Sequence, residues 1–328
     1  MNCAVIQDYG ADVSNLAFQD REDPVATGEN IRVRVSATAL NRADLLQRRG
    51  LYPAPPGISP DVPGLEFVGI VDQLGESVTE WKGGERVFGI VAGGAYAEKV
   101  VTHQRLAVAV PEEIPDVEAA AIPEAFIAAH DALVTQGRMQ SGDIVLVHAV
   151  AGGVGTAALQ LAELCGARAI GTAGSREKLE AVAMVAPFFP INYKEEDFQE
   201  AVEREFGRDA VDMVLDTVGA SHWQRNIYLL RPQGRLILLG LLGGGIAETP
   251  LGVLLTKRIR IMGTVLRSRP LEERILATQA FAHQLLPHLG SRRLRAVVDS
   301  VFPFHQLHEA TTRMEQNQNV GKIVLRLS

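Results

Sequence analysis

Cysteine is nearly absent: Cys3 and Cys165 are the only two in 328 residues. Their number and spacing support neither a disulfide framework nor a thiolate zinc cage, and a reducing cytoplasm fits them. An excess of basic residues is also missing. The formal charge is -7, which argues against nucleic acid or an anionic membrane as the main partner. The longest uncharged apolar run, Leu236 to Ala247, is too short to span a bilayer and is broken by glycines. The first residues lack the basic start and long apolar stretch of a signal peptide, so a soluble, cytoplasmic protein is expected. What is plentiful is apolar sequence, 47% of a chain too long for one typical domain, and two domains are expected.

The most informative segment lies between Ile144 and Gly155. An apolar strand, Ile-Val-Leu-Val, runs into His148-Ala149-Val150-Ala151-Gly152-Gly153-Val154-Gly155, and a helical stretch follows. A second strand, Arg168 to Thr172, completes a βαβ unit. Glycine at such a turn removes the Cβ that would block a phosphate, and the helix opening offers unpaired amides and partial positive charge. The full Gly-x-Gly-x-x-Gly fingerprint wants glycine at 150. Here Val150 stands instead, leaving Gly152 and Gly155 in register. A dinucleotide cofactor is expected, the bland alternative being an ordinary glycine-rich turn.

The segment after the second strand bears on which cofactor binds. An acidic residue there would accept hydrogen bonds from the ribose and repel a 2′-phosphate. The chain has Ala173-Gly174-Ser175-Arg176-Glu177-Lys178, small, hydroxyl and cationic groups suited to charge-assisted bonds with a phosphate, and this reads as NADPH. Glu177 is one position further along, where a helix turns it elsewhere; Arg176 and Lys178 also fit a solvated helix face.

Up to about Pro111 the pattern is strand-like, with Ile31–Val35 alternating and Phe67–Val71 continuous. Asn41 to Arg49 reads as a short helix, and the prolines of Leu51 to Gly57 make a loop. From about Glu118, helices alternate with buried strands at Ile144–Val147, Arg168–Thr172, Val211–Leu215, Arg235–Leu239 and Arg258–Met262. Such repetition implies an α/β class with a doubly wound parallel sheet. A helix from Leu271 to Leu289, a strand near Val297–Phe302, a helix through Met314 and a strand at Ile323–Leu327 follow, and are expected to return to the first domain.

With these residues in view, the chain resembles the zinc-free quinone oxidoreductases of the medium-chain dehydrogenase/reductase superfamily, close to the p53-inducible type. The marks are Ala39 to Leu45, Pro63 to Gly69, Ala119 to Ala125 with its Pro123-Glu124-Ala125, the Gly152 turn, Thr172 to Ser175, Asn192-Tyr193, Leu266 to Arg269 and Asn319 to Lys322. The resemblance implies a groES-like, β-rich catalytic domain formed by residues 1–120 and 265–328, and a Rossmann NADPH-binding domain at 121–264. It also implies a cofactor cleft between them and a homodimer or larger homo-oligomer, with Arg258–Met262 the candidate edge strand. Zinc-dependent relatives place a Cys near Asn41 and a His beside the glutamate where this chain has Leu65-Glu66, so no metal is expected.

By the same resemblance, Asn41, Asp44 and Tyr52 are the catalytic candidates beside the nicotinamide. Tyr52 would donate to a substrate oxygen and Asn41 would orient cofactor or carbonyl. Gly152, Gly153, Val154 and Gly155 would hold the pyrophosphate; Gly174, Ser175, Lys178 and Tyr193 would lie near the 2′-phosphate; Gly240, Leu266 and Asn319 would line the cleft with Asn41. The competing readings are local: Tyr52 packing over its loop, Asp44 capping or pairing with Arg42 or Arg48, Tyr193 in the core, Gly240 and Asn319 in turns. Relatives often carry a Thr that bonds the nicotinamide carboxamide, but here Ala128 takes that place, and His130 reads as structural.

A quinone accepts hydride readily because reduction restores aromaticity, so stacking and oxygen-charge stabilisation suffice without a strong Lewis acid. The leading expectation is NADPH-dependent, zinc-independent quinone reduction by hydride or electron transfer. Reduction of conjugated enals and enones is the alternative. A crystallin-like or regulatory NADPH-binding protein with little turnover is third.

Overall fold

The computed structural model describes residues 1–327, which form two units: residues 1–127 with the return from Leu266 onward, and Ala128–Val265. In the first, β1 (Asn2–Ile6) pairs antiparallel with β2 (Leu16–Asp20). There follow β3 (Asn30–Ala39), α1 (Arg42–Arg48), β4 (Glu66–Leu74), β5 (Arg86–Ile90), β6 (Lys99–His103), β7 (Ala107–Ala109), α2 (Asp116–Ala119) and α3 (Pro123–His130). The expected alternation of β3 is explicit: Ile31, Val33 and Val35 are buried with Phe67, Val71, Val87 and Val100, while Arg32 and Arg34 face away.

The second unit runs β8 (Ile144–Val147), α4 (Gly153–Leu164), β9 (Arg168–Ala173), α5 (Arg176–Ala183), β10 (Phe189–Asn192), α6 (Phe198–Phe206), β11 (Val211–Asp216), α7 (Trp223–Leu229), β12 (Leu230–Leu238), α8 (Leu251–Lys257) and β13 (Arg260–Gly263). Its six strands are all parallel, in the order β10-β9-β8-β11-β12-β13. The order reverses at β8, which puts the turn after Val147 at the switch point where such sheets bind ligands. Every residue of β11 is buried, the pattern of a strand covered on both faces. The edge strand begins at Arg260 rather than Arg258, because Arg258 ends α8 in the left-handed region at φ 53°.

The chain then returns to the first unit through α9 (Leu271–Gly290), β14 (Val298–Pro303), α10 (Leu307–Glu315) and β15 (Lys322–Arg326). β15 pairs antiparallel with β3, completing a sheet ordered β14-β15-β3-β4-β5-β7, with β6 also on β3. The first division between units falls inside α3, later than residue 120. One physical reason is that the Glu124 amide donates to the Glu66 carboxylate of β4 at 2.9 Å, tying the first turn of α3 to the N-terminal sheet.

Candidate active site

In the second unit, β8 leads into a tight turn in which Ala149 takes the left-handed region at φ 50°. The Val150 amide bonds the Thr172 carbonyl at 3.0 Å, joining the turn to β9. Val150 is fully buried and packs against Gly171, where a Cβ would come within 2.9 Å of it. The side chain at 150 therefore fills a space that glycine at 171 leaves.

The two glycines in register do different work. A Cβ on Gly155 would stand 2.5 Å from the Val150 carbonyl oxygen, so Gly155 lets the helix close on the turn. A Cβ on Gly152 would meet no protein atom nearer than 3.4 Å, so the protein itself leaves that space open. Gly152 caps α4, and the amides of Gly153, Val154 and Gly155 have no intrahelical acceptor. An open cradle at the positive end of a 12-residue helix fits a dinucleotide pyrophosphate.

At the end of β9, Ser175 caps α5 and accepts the Lys178 amide at 3.4 Å. Gly174 is covered by Tyr193, whose hydroxyl would stand 2.7 Å from a Cβ there. Tyr193 is 43% exposed, so it is a surface ring and not core. Glu177 is exposed, and its own backbone amide, then the nearby Ser175 hydroxyl, hold its carboxyl below the usual range. Arg176 pairs with Glu180 at 2.9 Å on an exposed face, as the solvated-helix reading expects. Beyond β12, a Cβ on Gly240 would meet the Thr217 carbonyl oxygen at 2.8 Å, a close approach between strand exits.

Beneath this surface lies a neutral polar network. His148 lies 2.9 Å from the Thr172 hydroxyl through Nδ1 and 2.7 Å from Asn226 Oδ1 through Nε2. The Asn226 amide nitrogen donates to Asp216 at 3.1 Å, so its oxygen faces His148 and Nε2 carries the imidazole proton. Burial pushes His148 down to about 4, keeping it neutral.

In the first unit a denser, charged cluster surrounds Asn41. The Lys322 ammonium donates to Asn41 Oδ1 at 2.5 Å and to the Leu40 carbonyl at 2.8 Å, and stands 2.7 Å from Glu66. Asn41 Nδ2 in turn donates to the same Glu66 oxygen at 2.9 Å. Both ends of the Asn41 amide are thus engaged, one by the ammonium and the other by the carboxylate. Leu65 is core, 1% exposed.

Asp44 is equally committed. Its carboxylate accepts the Asn41 amide at 2.8 Å, the Gly64 amide at 3.1 Å and the Tyr96 hydroxyl at 3.0 Å. These bonds cap α1 and hold Asn41, which makes Asp44 a positioning residue and matches the local-cap reading. Burial, against those bonds, raises its carboxyl.

Tyr52 lies on the proline-rich loop with Arg267 5.2 Å from its ring centroid. Arg267 is 5% exposed and donates to neutral oxygens: Ala92 at 2.6 Å, Tyr52 at 3.1 Å and Gln47 at 2.7 Å. The Tyr52 hydroxyl makes no hydrogen bond among the described residues. Burial and the Glu124 charge raise this phenol, with Arg267 opposing them.

Leu266 and Asn319 belong to this unit too. Leu266 is buried, and Asn319 Nδ2 donates to the Gly321 carbonyl at 2.8 Å, shaping a turn in which Gly321 has φ 82°. Ala128 and His130 are buried in α3.

Four residues carry the charge of this cluster without having been singled out as its site: Glu66, Glu124, Arg267 and Lys322. A signal existed. Glu66 sits between Leu65 and Phe67, Lys322 precedes Ile323-Val324-Leu325, and Glu124 interrupts Ile122-Pro123 and Ala125-Phe126. A charge inside an apolar stretch is buried only where it is paired or used.

Comparison with known proteins agrees with this layout. Residues 153–281 match the zinc-binding dehydrogenase family and 27–112 the alcohol dehydrogenase GroES-like domain. Quinone oxidoreductase-like protein 2 of Mus musculus is 30% identical over 300 residues, 91% of this chain and 85% of that protein. The crystal structure of Escherichia coli quinone oxidoreductase complexed with NADPH superposes with a TM-score of 0.88 at 25% identity, covering all of both chains. The CurK enoyl reductase superposes with a TM-score of 0.85 at 26% identity, covering 100% of this chain and 99% of that one.

Proposed function

Since the chain belongs to the medium-chain dehydrogenase/reductase superfamily, we propose that it is an NADPH-dependent reductase of quinones that works without a bound metal, nearest the p53-inducible quinone oxidoreductase type. The observation that carries the reading is the glycine turn, open at Gly152 and closed at Gly155. NADPH, when bound, supplies hydride. Gly152 to Gly155 would hold its pyrophosphate, and Ser175, Lys178 and Tyr193 would receive the 2′-phosphate, with Glu177 limiting the preference over NADH. The similarity to a quinone oxidoreductase complexed with NADPH supports the same choice.

The residues around Asn41 do not suit zinc. Asn41 and Glu66 are already bonded to Lys322, and displacing a buried ammonium to admit a dication would break three contacts at once. Charge stabilisation falls instead to Lys322, Arg267 and the Tyr52 hydroxyl, which is free to donate to an acceptor oxygen. Reduction of conjugated enals or enones is the second reading, favoured by the similarity to an enoyl reductase. A second copy of the chain would cover the β13 edge and the exposed Leu251, Leu255 and Ile261 beside it.

Following reduced-nicotinamide absorbance with NADPH or NADH against an ortho-quinone, a para-quinone and a 2-alkenal tests this directly. The expected result is NADPH-preferring quinone turnover, unchanged by a chelator. Turnover with the alkenal alone would transfer the assignment to the second reading; NADPH binding without any turnover would defeat both.

A further inference from the structure

In the second unit, the carboxyl ends of four neighbouring strands, β9, β8, β11 and β12, are joined by one line of polar contacts. Thr172 stands in β9, His148 directly after β8, Asn226 on α7 and Asp216 at the end of β11. All four are buried, His148 being 1% exposed and the others not at all. Thr172 Oγ1 lies 2.9 Å from His148 Nδ1, His148 Nε2 lies 2.7 Å from Asn226 Oδ1, and Asn226 Nδ2 lies 3.1 Å from Asp216. Backbone carries the line further. The Asp216 carboxylate accepts the Val218 and Gly219 amides at 2.7 and 2.9 Å. Its carbonyl accepts the Leu239 and Gly240 amides at 2.8 and 3.3 Å, just past β12.

The line has a direction. The Asp216 carboxylate can only accept, so Asn226 turns its NH2 to it and its oxygen to His148. His148 then carries its proton on Nε2, and its bare Nδ1 accepts from the Thr172 hydroxyl. Burial holds the imidazole down to about 4, so it stays neutral at the pH where the line must hold. Every donor points toward Asp216. No member can turn over without leaving a buried neighbour unpaired, and that penalty fixes all four together.

What the line fixes is what a dinucleotide needs. Thr172 leads in two residues to Gly174 and Ser175, His148 opens the turn to Gly152, and Asp216 holds the Gly240 amide. Resting on the reductase reading, we propose that His148 is a positioning residue for NADPH. It is the centre of a one-way hydrogen-bonded line that keeps the glycine turn, the Gly174-Ser175 segment and Gly240 in the mutual register the cofactor requires. Buried as it is, His148 acts through these strand ends and not by contact. Loops held in place before the ligand arrives bind it at a lower ordering cost.

Titration of the intact chain with NADPH, read by nicotinamide fluorescence, tests the role. His148→Phe keeps a ring but neither bond and should raise the Kd about 10-fold, the loss falling on KM for NADPH more than on kcat. His148→Gln, whose amide carries one acceptor oxygen and one donor nitrogen, should recover most of that affinity. Thr172→Val removes only one end of the line and should raise the Kd about 3-fold, which decides the matter if His148→Phe does not fold. Without cofactor, the nitrogen NMR spectrum of isotopically labelled histidine should show His148 protonated on Nε2 and bare on Nδ1 at pH 7, its signal identified by its loss in His148→Gln.

Unchanged NADPH affinity in the folded variants, or a loss that falls on kcat instead, would overturn the positioning role and leave the reductase standing. So would a loss in His148→Gln as large as in His148→Phe. A proton found on Nδ1 would overturn the direction of the line and with it the role. A parent chain that binds no dinucleotide would overturn the reductase reading and the role together, whichever nitrogen holds the proton.

Discussion

Two buried polar clusters, one in each unit, are built in opposite ways. In the parallel-sheet unit, His148, Thr172 and Asn226 form a neutral chain in which each hydrogen-bonding end shown is used, and its one charge, Asp216, accepts the Val218 and Gly219 amides at 2.7 and 2.9 Å. In the other unit, Glu66 gathers Lys322, Asn41 and the Glu124 amide, and among the described residues the Glu124 carboxyl and the Tyr52 phenol have no hydrogen-bond partner. A saturated network rigidifies the strand ends that shape a binding loop. A charged cluster with members to spare can accept a ligand or move a proton. On the proposed function, the difference would separate scaffold from chemistry within one chain.

The comparison breaks most severely if Lys322 is removed. Lys322→Met should strand the buried Glu66 carboxylate and cost about 3–5 kcal/mol of stability by denaturant unfolding, with loss of reductase activity; a loss under 1 kcal/mol would mean that water replaces the ammonium. Next come the glycines. Gly155→Ala drives a Cβ to 2.5 Å from backbone and should cost about 1–3 kcal/mol or more. Gly152→Ala, with nothing nearer than 3.4 Å, should unfold normally yet weaken NADPH binding in a fluorescence titration. Equal stability losses for the two would remove the case for a ligand cradle at Gly152.

A comparable cost is expected within the neutral network. His148→Phe orphans Asn226 Oδ1 and the Thr172 hydroxyl and should cost about 1–3 kcal/mol, while leaving the shape of the pH-rate profile as it is; a shifted profile would show that the network takes part in proton movement. Per pH unit, the smallest effect is the pH dependence of stability, which has opposite sign in the two units. Glu124, raised to about 8, binds more proton folded than unfolded, so its contribution is full below about 4.5 and is lost as pH rises through 8. His148, lowered to about 4, binds less proton folded, so stability is lost as pH falls from about 6.5 through 4. Each slope is at most about 1.4 kcal/mol per pH unit, and Glu124→Gln should flatten only the upper one in chemical denaturation across pH.

Much of the fold was legible because hydrophobic periodicity reports local structure directly. The strands at Ile144, Arg168 and Val211 start where their apolar runs start, and the loop at Leu51 to Gly57 follows from its prolines. Edges were harder: β12 begins at Leu230 rather than Arg235, since Leu230 already pairs with Val211 of β11 and an irregularity carries the strand past Pro232 to Arg235. The glycine turn before α4 was legible because glycine and helix-start signals are themselves local. The charged cluster was only half so. Asn41, Asp44 and Tyr52 were singled out by family resemblance and the Asp44 cap of α1 was open to a local reading, but its further bonds to Gly64 and Tyr96 come from other parts of the chain.

By itself, the sequence determined two units, a parallel sheet with a glycine turn at its switch point, and too few cysteines for a cage, because each of these rests on local spacing, composition or the missing Cβ of glycine. The tertiary structure alone decided which charges matter. Lys322 meets Glu66 and Asn41 only once β15 lies beside β3, and Glu124 meets Glu66 only once α3 docks on β4. A side chain's charge state is set by what surrounds it in space, and those neighbours come from opposite ends of the chain.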